Sequence, residues 1–133
     1  MPRIMYKPRA DRNEYVIWST VVDLPVSGVM NRKKAKKTWR KGACWTLGTP
    51  ISAERAEESM VRADTKGWSL IDGEPGEYEL LNLANIGDYP GPYDSGVCRV
   101  EDIAPVTRAI EAGDWDTLHQ LLTELSTVED TND

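Results

Sequence analysis

The sequence predicts an α+β fold, with one small, mainly antiparallel sheet and helices packed against it. Three observations lead there. The run Tyr15-Val16-Ile17-Trp18-Ser19-Thr20-Val21-Val22 is dominated by β-branched and aromatic residues, the composition of a strand. Residues 53–66 and 102–125 carry apolar side chains at helical spacing, broken by glycines. Strand and helix patterns alternate in part and cluster in part, which suits α+β better than a doubly wound sheet. At 133 residues the chain suits one domain, expected over 1–125, with an acidic flexible tail at 126–133.

Taken in order, residues 1–14 are polar and hold Pro2 and Pro8, so they read as a loose lead-in. The strand at 15–22 carries large apolar groups on both faces, so it is expected at the centre of the sheet, covered on both sides. Asp23-Leu24-Pro25 ends it, because proline cannot continue a central ladder. Asn31 is a candidate N-cap for a short helix of about 32–40, closed by Gly42. Cys44-Trp45-Thr46-Leu47 reads as a short strand.

Ser52 is a candidate cap for a helix at 53–66, with Glu54, Glu57 and Glu58 in the turns that the helix dipole favours. Ala53, Ala56, Met60 and Ala63 form its small-residue stripe, and Gly67 is the expected stop. Trp68–Ile71 and Glu77–Leu83 flank the turn-rich Asp72-Gly73-Glu74-Pro75-Gly76, which predicts a hairpin over 68–83. Residues 87–96 hold three glycines and two prolines together with Tyr89, Tyr93, Asp88 and Asp94, and read as a long irregular loop. Such loops carry function more often than the elements they join. A helix at 102–112, Gly113 as its stop and Asp114 as the next cap predict a C-terminal helical hairpin. Its second helix takes Trp115, Leu118, Leu121, Leu122 and Leu125 on one stripe.

Charge divides along the chain. Residues 1–50 hold 11 Lys and Arg against 3 Asp and Glu, while residues 51–133 hold 5 against 19. Such a division points to an anionic partner or a polar tail. Seven of the ten residues 32–41 are cationic. Like charges four apart destabilise a helix, so something must compensate them: the chain's own carboxylates or an outside anion. Five Trp, five Tyr and no Phe mean that every six-membered aromatic carries a polar edge, a composition suited to half-buried positions and interfaces.

Sets of residues with catalytic spacing do not stand out. His119 is the only histidine and falls on the flank of the last helix's apolar stripe, so it is expected to be half-exposed and inert. Cys44 and Cys98 form neither a CxxC nor a disulfide framework. One histidine supplies no zinc set, and no phosphate-cradling glycine loop is present. Asp72 with Glu74, and Asp88 with Asp94, read as turn formers rather than cation ligands. No catalytic residue, metal or cofactor is therefore expected. The candidate binding residues are Lys33, Lys34, Lys36, Lys37, Arg40 and Lys41 as phosphate neutralisers, Trp39 and Trp45 as stacking platforms, and Tyr89 and Tyr93 on the loop. The acidic second half would repel a long polyanion unless it faces away.

Tyr15–Pro25, and the later helix running into Lys66-Gly67-Trp68-Ser69, resemble segments of small uncharacterised proteins of actinobacterial phages. The resemblance covers about a third of the chain and implies a phage accessory protein. Such proteins inhibit host machinery, antagonise defence or build the virion. The expected function is a non-catalytic protein that binds and modulates a host protein. The alternatives are nucleic-acid or nucleotide binding through 32–41, and a virion or assembly component that self-associates through the opposed basic and acidic halves, so the partner is a host protein or a second copy of the chain. No apolar run reaches the length of a membrane span, so no membrane partner is expected. The host cytoplasm is the expected compartment.

Overall fold

The computed structural model describes residues 3–43 and 49–123. Its α+β architecture matches the predicted class, but it contains two antiparallel sheets rather than one. The first has the order β1 (Arg3–Tyr6), β2 (Val16–Ser19), β3 (Leu24–Pro25). The second has the order β4 (Tyr78–Leu81), β5 (Gly96–Arg99), β6 (Leu122–Thr123). Four α-helices accompany them: α1 (Arg32–Thr38), α2 (Ala53–Lys66), α3 (Ile103–Ala112) and α4 (Trp115–Leu121).

Strand β2 is central, as its two apolar faces predict. All four of its residues are buried. Alternation sends Val16 and Trp18 to one face and Ile17 to the other. The strand is shorter than 15–22 because Thr20–Asp23 turn, with Asp23 at φ 53°. Leu24 and Pro25 then pair back onto β2 instead of ending the ladder outright. Proline fits there because this strand lies at the sheet edge and its missing N–H leaves no central bond unmade.

Two expectations are corrected at the other edge. The opening residues are not a loose lead-in: Ile4, Met5 and Tyr6 are buried in β1, paired with β2. Nor do residues 68–83 form a hairpin. The Met5 amide donates to Ser69 Oγ at 3.0 Å, Ser69 N donates to the Met5 carbonyl at 2.9 Å, and Lys7 N to the Gly67 carbonyl at 2.8 Å. The open edge of β1 thus takes up 67–69. Strand β4 pairs instead with β5, across the loop 87–96. Glycine is required at position 67, where φ is 102° and the chain leaves α2.

The helices follow their local signals. Asn31 caps α1 and Ser52 caps α2, each side chain accepting an amide three residues on. After α1 the chain makes a wide turn, Trp39–Ala43, ended by Gly42 at φ 114°. Gly113 ends α3 and Asp114 caps α4, which makes the predicted helical hairpin. Helix α4 stops at Leu121, short of 125, because Leu122 and Thr123 pair with Cys98 and Val97 of β5. The predicted strand 44–47 and the tail 126–133 lie outside the described residues.

The first sheet divides the core in two. On one face Met5, Tyr15 and Ile17 pack with Ala35 and Trp39 of the α1 segment and Ala56, Met60 and Ala63 of α2. On the other face Ile4, Tyr6, Val16 and Trp18 pack with Leu81, Cys98, Ile103, Val106 and Leu118 of the second sheet, α3 and α4. Helices α1 and α4 therefore lie on opposite sides of the molecule.

Candidate functional site

Two surfaces stand out, one on each side of the first sheet. The first is the cationic face of α1. The sequence left open whether the chain's own carboxylates or an outside anion compensate residues 32–41, and the structure divides the segment between the two. Arg32 turns inward to α2. Its Nη1 and Nη2 donate to Glu57 Oε1 and Oε2 at 2.9 and 2.8 Å, and its Nε donates to Asp64 Oδ2 at 2.9 Å. Lys36 joins it at 3.2 Å from Glu57. The bonds from Arg32, with a smaller contribution from Lys36, hold the Glu57 carboxyl down at about 2. Asp64 also accepts the Tyr15 hydroxyl and lies 3.8 Å from Lys7. Burial and that acceptor push the Tyr15 hydroxyl well above the ordinary phenol range.

Lys33, Lys34, Lys37, Arg40 and Lys41 enter no ion pair among the described residues, and all are exposed. Lys33, Lys37 and Lys41 fall four apart, and Lys34 lies three before Lys37, so they share one face. With Asn31 and Thr38 the four lysines line an open groove of about 490 Å³. Trp39 does not join them. It is 1 % exposed and packs into the core beneath α1, so Trp39 offers no ring there for a base to stack on. Its spacing on α1, with Ala35 four residues earlier, points it away from the lysines and towards the sheet. Trp45 lies outside the described residues.

The second surface is built by the 87–96 loop and α4. Tyr89 OH and His119 Nε2 share a hydrogen bond of 2.8 Å. The Tyr89 ring meets Trp115 edge-on with centroids 5.4 Å apart, and meets His119 edge-on at 5.7 Å. Tyr93 stands edge-on to His119 at 5.4 Å, and its amide donates to Tyr89 OH at 3.4 Å. Tyr93 is 55 % exposed, while the other three rings are half-buried. The result is an aromatic shelf whose outer ring rests on His119, which Tyr89 and Trp115 in turn support. Asp88, Asp94 and Asp116 are each the chain neighbour of one of these rings, and all are exposed.

Tyr89 and Tyr93 were legible in the sequence as loop aromatics. Their supports, Trp115 and His119, were not. Trp115 packs against the core as its place on the apolar stripe predicts and also supports Tyr89, while the pairing of His119 with Tyr89 across 30 positions leaves no local pattern.

Charge is sorted between these two sides. Helix α1, the wide turn and α2 hold ten cations and four carboxylates, a net of +6. Residues 78–123, from β4 to β6, hold two cations and eight carboxylates, a net of −6. Not all of these charges reach solvent. Glu79 is turned inward, where Tyr6 OH donates to it and burial pushes its carboxyl up. Asp102 lies 3.5 Å from Arg9.

Among the described residues no helix is long and apolar enough to cross a membrane. No family model matches the chain, and neither does any curated protein or solved structure.

Proposed function

We propose that the chain is a non-catalytic binding protein that presents the Tyr89–Tyr93–Trp115–His119 shelf to a protein partner. One observation carries the reading: Tyr93 is more than half exposed, yet its ring packs edge-on against His119 of α4 and its backbone amide is tied to the Tyr89 hydroxyl. An ordered, exposed tyrosine offers large contact area at little entropic cost on docking. Aromatic residues with a polar edge are also the commonest anchors of protein interfaces. The role that the phage resemblance implies, occupying a host protein's surface, needs no more than such an anchor.

The test is capture from an actinobacterial lysate by the immobilised chain, alongside Tyr93→Ala. Truncating a central anchor costs at least about 2 kcal/mol, or roughly thirtyfold in affinity. Loss of a stoichiometric protein band with the variant supports the reading. Equal capture by both proteins refutes it.

A second reading rests on Lys33, Lys34, Lys37, Arg40 and Lys41, which meet no carboxylate among the described residues. They suit phosphate groups, and because the acidic side faces the opposite way it does not oppose a polyanion at the groove. The burial of Trp39 away from the groove favours contact with phosphates over base recognition by the described residues. Reversing Lys33, Lys34 and Lys37 to Glu would then remove nucleic acid or nucleotide from the purified protein, read as a fall in the 260/280 nm ratio. An already protein-only spectrum in the wild type counts against this reading.

A further inference from the structure

The two surfaces complement each other. One is a row of exposed lysines that pair with no carboxylate among the described residues. The other is the exposed Tyr93 with Asp94 as its chain neighbour, beside Tyr89 with Asp88 as its own. An ammonium over a Tyr face gains from the ring's quadrupole, and neighbouring carboxylates complete the ion pair. We propose that the occupant of the aromatic shelf is the α1 face of a second copy of this chain. The inference rests on the reading of the shelf as a protein-binding surface and names its partner.

The fold dictates the geometry of such contacts. Helices α1 and α4 cover opposite faces of the first sheet. A closed two-fold dimer would need both surfaces on one side. Copies of this chain join head to tail instead, leaving one free lysine face and one free shelf at the ends of every string. Association is then open-ended or closes only as a ring, and its mass rises with protein concentration rather than stopping at two copies. Charge attraction between exposed groups also makes it sensitive to salt.

The deciding measurement is light-scattering mass of the full chain across a concentration series. At about 0.01 M salt, where screening acts over about 30 Å, the mass should exceed 14.9 kDa and grow with concentration. At about 1 M salt, where screening acts over about 3 Å, it should fall back to 14.9 kDa. A mass of 14.9 kDa in both, an oligomer indifferent to salt, or a plateau at two copies overturns the proposal.

Two variants locate the contact. Lys33→Glu with Lys37→Glu, and Asp88→Lys with Asp94→Lys, should each be monomeric alone, because each sets like charges face to face. Mixed together they should associate again. Continued association of either variant alone overturns the assignment of these two faces. All four positions are exposed, and circular dichroism checks that the variants fold. If they do not, the wild-type salt series decides by itself. A chain that stays monomeric yet loses a captured protein on Tyr93→Ala refutes this inference and leaves the binding-protein reading standing. A chain that self-associates but captures the same proteins with and without Tyr93 refutes that reading as a basis for the contact.

Discussion

Replacing Arg32 by Ala tests whether α1 is held to α2 by its inward charges. The substitution removes three charge-assisted hydrogen bonds of 2.8 to 2.9 Å and leaves Glu57 and Asp64 with Lys36, Lys7 and the Tyr15 hydroxyl. A single buried bond to a charged group contributes about 1.5–3 kcal/mol. Here Arg32 and Glu57 are about a third exposed, at 34 % and 38 %, so solvent screening reduces the gain towards that of a surface pair. The bidentate geometry and the second acceptor keep it above the ordinary surface value of about 0.2–1 kcal/mol. The expected loss for the whole set is about 1–2 kcal/mol at neutral pH, read from urea midpoints. Lys33→Ala, which removes an exposed lysine that meets no described carboxylate, should stay within about 0.5 kcal/mol of wild type.

The pH dependence sharpens the test. Glu57 has its carboxyl held at about 2, below the value of 4.5 in an unstructured chain. A depressed carboxyl contributes stability that is fully present above the unfolded value and lost as pH falls towards the folded one. The gap between wild type and Arg32→Ala should therefore hold from neutral pH down to about 5 and shrink between about 4.5 and 2. An equal gap at pH 7 and pH 3, or a loss at pH 7 no larger than that of Lys33→Ala, would refute the assignment of Arg32 to an internal, neutralising role.

Three further outcomes follow from the core. Glu79 has its carboxyl raised by burial, so it costs stability once ionised. Wild type should lose stability as pH rises from 4.5 through the raised value, and Glu79→Gln should lack that decline. Parallel urea profiles for the two proteins would place the ionisation elsewhere. Leu118 is fully buried where α4 meets the core, and Leu118→Ala should cost about 2–5 kcal/mol in the same assay. A cost under about 1 kcal/mol would mean that α4 is not seated there. Cys98 is buried in β5, with its thiol pushed up to about 12 by burial and then by the Glu79 charge. In a Cys44→Ser background it should react with a thiol reagent only as fast as the protein opens, and rapid labelling under native conditions would contradict its burial.

What the sequence could determine was local. Asn31, Ser52, Gly67 and Gly113 mark helix ends because a cap is made with amides and carbonyls only a few residues away. The strand character of 16–19 was legible because β-branched and aromatic residues favour a pleated backbone wherever they sit. Pairing was not legible, because a strand's partner is chosen by contacts across the whole chain. The pattern over 68–83 has the composition of a hairpin, yet the open edge of β1 takes up 67–69 and β5 takes up 78–81. Leu122 keeps helical spacing with Leu118 but joins β5, whose unpaired edge offers backbone hydrogen bonds that a frayed last turn does not.

The candidate surfaces divide in the same way. The basic run at 32–41 and the tyrosines of the loop could be read from residue type alone. That Arg32 and Lys36 are neutralised at home while Lys33, Lys34, Lys37, Arg40 and Lys41 meet no described carboxylate depended on where α2 packs. That Trp39 is core rather than platform depended on which side of α1 meets the sheet. The sequence showed a basic half and an acidic half. Only the tertiary structure turned them into two sides of one molecule, because the alternating side chains of β1 and β2 must bury both faces of the first sheet under different layers.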